Sequence, residues 1–153
     1  MKKRWSAVTL VVVLVFLVLT LGGCSAGENK ERVEATGTPK VEAMLLAFNQ
    51  EDFAGFSKDF GPLMTSAMTE DVFQHQILPQ IGGLIGEYEP GSLNLAKVTK
   101  ETYQGKEYIA AIYRSAFTEE EGDVTVTIWF TNDEAMNIET FIMNSPKLVQ
   151  GNG

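Results

Sequence analysis

One cysteine and one histidine are all that this chain carries, and both scarcities exclude chemistry. Without a second cysteine no disulfide can staple the fold, and no cysteine-based zinc site can be assembled. Imidazole catalysis goes through His75 or not at all. Positive charge is scarce too, with twelve Lys and Arg against twenty Asp and Glu. Affinity for nucleic acid depends on neutralising phosphates with cations, so this balance argues against such a partner. It argues equally against electrostatic attachment to anionic lipid, which needs basic clusters. Nor is there an apolar run long enough to span a bilayer. The longest, Ala7 to Leu21, has about fifteen residues, whereas a spanning helix takes roughly twenty.

That run is nevertheless the most informative stretch. Met1-Lys2-Lys3-Arg4 gives it a positive head and Gly22-Gly23 breaks it, which is the layout of a secretory signal peptide over residues 1–23. The small residues end at Cys24, and Leu21-Gly22-Gly23-Cys24 resembles the lipobox of bacterial lipoproteins. The resemblance implies cleavage between Gly23 and Cys24 and a diacylglyceryl group on the Cys24 thiol. In many bacteria the new amine is acylated as well. A single acyl chain binds membranes marginally, whereas two or more hold stably, at about 0.8 kcal/mol per buried CH₂. The membrane is then a partner through lipid on Cys24, on the extracytoplasmic side. In a cell with two membranes, Ser25 in place of a retaining Asp would permit outer-membrane delivery.

Loss of residues 1–23 removes Lys2, Lys3 and Arg4, leaving nine cations against twenty carboxylates, a net charge of −11. Residues 24–38 are polar and nearly free of large apolar side chains, a composition that reads as a flexible tether. Its root-mean-square span would be about 20 Å. Residues 39–147 then form one domain, and residues 148–153 a frayed tail.

Within the domain, Val41, Met44, Leu45 and Phe48 recur at helical spacing. Gly55 bends the chain, and Phe60-Gly61-Pro62 breaks it. Thr69 caps a second helix whose stripe is Phe73, Ile77, Ile81, Leu84 and Ile85. Pro79 should split or bend it, with closure at Gly82-Gly83 or Gly86. After Pro90-Gly91 the period becomes two. Strands are expected over Ser92–Tyr103, Glu107–Phe117, Val124–Thr131 and Met136–Met143, with turns at Gln104-Gly105, Glu119–Gly122 and Asn132-Asp133. Helices followed by an antiparallel run of strands make an α+β fold, with N-terminal helices packed on a curved four-stranded sheet.

Phe48-Asn49, Asp52-Phe53, Phe56 and Asp59-Phe60 form an F-N-x-x-D-F-x-x-F-x-x-D-F pattern. Tyr103-x-Gly105-Lys106 and a V-T-V-T-I-x-F strand follow it. Together, over about Val41 to Ile142, they resemble the bacterial "domain of unknown function 3887" group. That resemblance implies a nuclear-transport-factor-2-like, or cystatin-like, cone. It implies no activity.

Candidate site residues are few. Asp52 and Asp59 could serve as a general base in the mouth of such a cone, or could cap backbone amides near Gly55 and Gly61. Arg114 follows Tyr108, Ala110 and Ile112 on one strand face. It could pair with Asp59, Glu139 or Glu101, or bind an anionic ligand. His75 lies four residues after Asp71 but points away from the apolar stripe, as a solvated histidine does. Glu119–Asp123 lacks calcium-loop spacing and reads as a hairpin tip. Trp129, Tyr113 and Tyr103 form either core or an aromatic patch for a peptide or glycan. No metal or cofactor motif is present. The reading is a lipid-anchored domain that binds a small ligand or a protein. The alternatives are a small isomerase or hydrolase of the same fold, and a structural subunit that homodimerises through its sheet.

Overall fold

Strands β1 (Asn94–Tyr103), β2 (Lys106–Ser115), β3 (Val124–Thr131) and β4 (Ile138–Asn144) pair antiparallel in the order β1-β2-β3-β4 in a computed structural model that describes residues 24–150. Each expected strand is present; β3 has the expected bounds, and the ends of the others shift by at most two residues. The β1–β2 turn works because Gln104 and Gly105 both take positive φ, 51° and 75°, the sense that matches strand twist in a two-residue hairpin. Along β3 the alternation divides the faces cleanly. Val124, Val126, Ile128 and Phe130 are fully buried, while Thr125, Thr127 and Trp129 are half-buried. On β2, Ile109, Ala111 and Tyr113 join the same core.

Helical elements cover that core. These are α1 (Cys24–Arg32), a π-helical turn π1 (Val33–Gly37), α2 (Thr38–Asn49), α3 (Phe53–Phe56), α4 (Pro62–Ala67), α5 (Glu70–Val72), a second π-helix π2 (Phe73–Gly82), α6 (Gly83–Ile85) and, after the sheet, α7 (Pro146–Gln150). The first three run on without a break, since Arg32, Gly37 and Thr38 all keep right-handed helical angles. Among the described residues no helix is long and apolar enough to cross a membrane. The signal peptide expected over 1–23 lies outside the described residues.

The aromatic residues of the F-N-x-x-D-F pattern have a packing role. Phe56 packs at a tilt of 35° against Phe73 with ring centroids 4.6 Å apart and meets Phe60 and Phe141 edge-on at 5.4 and 5.7 Å. Phe48 and Phe53 contact Phe73 at 6.2 and 5.6 Å. The spacing thus wraps the chain around one ring, Phe73, and the pattern is a core signature.

Two expectations are corrected. Residues 24–38 are helical, and from Asn29 onward they pack. Val33 and Gly37 are buried, and a Cβ on Gly37 would lie 2.9 Å from the Phe130 ring. Arg32 donates to Asn132 Oδ1 at 3.2 Å and to the Asp133 carbonyl at 2.5 Å, and Lys40 donates to the Ala135 carbonyl at 2.7 Å. Two small residues make the apolar contact and two cations hold the β3–β4 loop, so little hydrophobic periodicity marked the segment. The tail is the second correction. Residues 148–150 belong to α7, with Leu148 buried and its amide donating to Ser145 Oγ at 3.3 Å.

If residues 29–37 are part of the fold, Val33→Ala should cost about 2 kcal/mol, the order for removing buried methyl groups from a packed site. Gly37→Ala should cost about 1–3 kcal/mol by overpacking against Phe130. Urea unfolding measures both. A tether would give values within about 0.5 kcal/mol of zero.

Candidate functional site

The end of α2 and the start of the sheet are joined by one side chain. Asn49 Nδ2 donates to the Tyr88 carbonyl at 2.7 Å, and the Tyr88 amide donates to Asn49 Oδ1 at 2.8 Å. The primary amide thereby completes both backbone groups of a residue that sits outside the regular ladder. Glu51 closes the helix with φ 55°, and its carbonyl accepts from Gln74 Nε2 at 3.3 Å. The tyrosine is held at its other end too. Tyr88 Oη donates to Glu42 Oε2 at 2.5 Å, while the Leu93 amide donates to Tyr88 Oη at 3.3 Å. Glu42 Oε1 accepts from the Gly91 amide at 3.0 Å.

On the far side, Thr69 caps α5 as expected, accepting from the Val72 amide at 3.3 Å. The helix does not break at Pro79. It widens instead into the ten-residue π2, which carries Pro79 inside it and ends against α6. Gly86 then turns the chain with φ 78°, and a Cβ there would meet Thr118 Oγ1 at 2.2 Å. Only glycine fits that place. Thr118 Oγ1 accepts from the Glu87 amide at 3.0 Å, and the Thr118 amide donates to the Glu87 carbonyl at 2.9 Å.

Between these walls lies an open groove of about 600 Å³. Phe48, Leu78 and Pro79 give it apolar surface, Gly82 and Gly83 line one wall, and Glu51, Glu87 and Glu119 are its charged lining residues. A Cβ at Gly82 would lie 3.6 Å from the Phe48 ring, and one at Gly83 would meet nothing within 4 Å. The glycines leave the groove as wide as it is.

Two tyrosines are strongly perturbed. Burial, reinforced by the acceptor and charge of Glu42, pushes the Tyr88 phenol up to about 12. Burial also pushes Tyr113 up to about 12, against the smaller opposing effect of its hydrogen bond with Thr38. Two carboxylates move the other way. The Thr131 hydroxyl holds Asp133 below the usual range, and the Ser145 hydroxyl does the same for Glu120.

The residues singled out from the sequence do not converge. Asp59 is bound by Lys40 at 2.9 Å and gives its carbonyl to the Ile138 amide. Asp52 occupies the N-cap position of α3 without a side-chain cap hydrogen bond, and it is exposed. Arg114 is exposed and pairs with Asp123 at 4.0 Å, in place of Asp59, Glu139 or Glu101. Its position on β2 is five residues from Ile109, whose rung leads through Phe130 to Ile138 beside Asp59. That is about 17 Å along the strand. His75 is exposed, 3.2 Å from Asp71. Among the described residues no group of His, Cys, Asp and Glu is arranged to hold a metal ion. The aromatic trio separates as well. Tyr103 and Trp129 lie 6.5 Å apart with Tyr108 stacked on Trp129, whereas Tyr113 is in the core.

The chain matches no family model, no curated protein and no solved structure. The resemblance drawn from the F-N-x-x-D-F pattern, Tyr103-x-Gly105-Lys106 and the V-T-V-T-I-x-F strand rests on those residues alone.

The groove was missed because its charged residues lie in three separate segments. A signal existed in Asn49 ending an amphipathic helix and in the Gly82-Gly83-x-x-Gly86 run.

Tyr88 and Tyr113 should ionise only near pH 12 in the ultraviolet titration at native conditions. Unfolded tyrosines ionise near 10. The native state therefore holds protons that the unfolded state gives up, and the associated stability, complete below pH 10, is lost as pH rises toward 12. Glu42→Gln should bring the Tyr88 step down and leave the Tyr113 step unchanged.

Proposed function

We propose that this protein is a lipoprotein, anchored through Cys24 outside the membrane, whose domain binds a small ligand in the groove between α2, π2 and residues 86–87. The observation that carries the reading is the construction of that groove. Its walls are fixed by side-chain to backbone hydrogen bonds from Asn49, Gln74 and Thr118, and its volume of about 600 Å³ falls within the roughly 300–1,000 Å³ of small-molecule sites. The residues on which an isomerase or hydrolase reading depended, Asp52, Asp59 and Arg114, do not share a site with one another or with the groove. On this reading the sheet curves around the helices as a nuclear-transport-factor-2-like cone. The lipobox at Leu21–Cys24 and the charged head at Lys2–Arg4 support the address.

A second reading has its own support. On the sheet face opposite the core, Ile142 is 55% and Tyr103 is 47% exposed, beside Trp129 and Tyr108. Such a surface suits a subunit that pairs through its sheet.

Native mass spectrometry of the protein released from its own membranes tests both. A retained small molecule that Gly83→Leu displaces is the expected result, since Gly83 has φ −65° and open space for a side chain. A bare monomer would overturn the ligand reading, and a bare dimer would replace it with the subunit. Separately, Cys24→Ser should move the protein from the membrane to the soluble fraction.

A further inference from the structure

We infer that the groove takes an organic amine, protonated at neutral pH and carried on an apolar body. The inference rests on the reading of the groove as a ligand site and names the class of ligand. The charged lining residues are all carboxylates, Glu51, Glu87 and Glu119. Among the described residues none of the three is in an ion pair, the five pairs being formed elsewhere. Lys147 reaches this region only at the Glu119 carbonyl, to which its ammonium donates, and is not a lining residue. The carboxylates therefore offer charge that no lining cation neutralises.

The neutral polar groups of the lining point the same way. The side chains of Asn49, Gln74 and Thr118 are engaged in holding the walls together. What is left for a ligand is acceptor-rich. The charge of the three carboxylates asks for a cationic donor. Apolar surface from Phe48, Leu78 and Pro79 asks for a hydrocarbon or aromatic body beside it. An anion would meet three like charges and no donor cation, which is the repulsive half of specificity.

The test uses the isotope-labelled full chain in uncharged micelles, with phenethylammonium, its anionic analogue 3-phenylpropionate and its neutral analogue 2-phenylethanol as probes, followed by amide NMR. The expected result is a saturable shift of the Gly82, Gly83 and Gly86 amides with the amine and none with the anion. Each of Glu51→Gln, Glu87→Gln and Glu119→Gln should weaken the amine about two- to fivefold, the scale of a partly exposed ion pair. Gly83→Leu should abolish the shift, and added salt should weaken it. Equal binding of the anion or the alcohol would overturn the charge assignment while leaving the groove a ligand site. Silence of the glycine amides with all three probes at millimolar concentration would overturn the inference and the groove reading together. A response to a lysine-rich peptide without one to the amine would place the cation on a protein partner and overturn the small-ligand class.

Discussion

The two hydrogen bonds between the Asn49 amide and the Tyr88 backbone hold the helical and sheet halves of this protein together where no secondary structure could. Tyr88 lies between Gly86 and the Pro90-Gly91 pair that leads toward β1, and its backbone pairs with Phe117 in an isolated bridge outside the regular strands. Its amide and carbonyl need partners because the residue is only 1% exposed, and leaving such groups unpaired costs about 1–3 kcal/mol each. Asn49 supplies both from the last residue of α2. The buried ring then extends the tie to Glu42, about two turns back along the helix, and Glu42 in turn takes the Gly91 amide. A single crossing segment is thereby fixed at three points by two residues of one helix.

That fixed crossing is what gives the groove a shape. The wall opposite it is π2, and a helix that continues through a proline by widening needs support from outside its own ladder. Phe73 provides it, fully buried among Phe48, Phe53 and Phe56. The wide turn carries Leu78 and Pro79 toward α2, and Gly82 and Gly83 keep the space between them open. Conformational entropy makes glycine costly inside a helix. Here Gly83, whose backbone angles suit any residue, has nothing near its missing side chain, which fits selection for space better than selection for backbone freedom.

Sheet order, strand limits and the apolar stripe of α2 were legible because each depends on a short-range period. Val124–Thr131 alternates strictly, and its faces fell as read. Thr69 was recognisable as a cap because a hydroxyl before two acidic residues has few other uses. Other features depend on contacts between distant segments. Val33 and Gly37 look like linker residues until Phe130, more than ninety positions later, lies against Gly37 and Val33 is buried in the core. Asp59 could equally have been a base, a cap or a salt-bridge partner, and only the reach of Lys40 decides among these. Pro79 reads as a breaker because propensity describes an α ladder, and the π ladder that accommodates it is a tertiary solution. Arg114 misled for a related reason. Alternation correctly placed it with Tyr108 and Ile112, but that face is the outer one, where Asp123 was its neighbour.

A continuous helix from Cys24 to Asn49 also changes what a lipid on the cysteine would mean. A loose tether lets a domain tumble onto the surface that holds it. Twenty-five helical steps at 1.5 Å place the groove end of α2 about 37 Å from Cys24 along the helix axis. Charge interactions fade over about 8–10 Å at physiological ionic strength. An acidic domain held near anionic headgroups is repelled, and its own carboxylates would compete with the membrane for cations. With a lipid on Cys24, the anchor would sit at one end of the helix and Glu51 just beyond the other, and the groove would lie several screening lengths from it along the helix axis. The same interactions that seat residues 29–37 on the sheet, Gly37 under Phe130 and Arg32 on the β3–β4 loop, would then also set the distance at which the groove is presented.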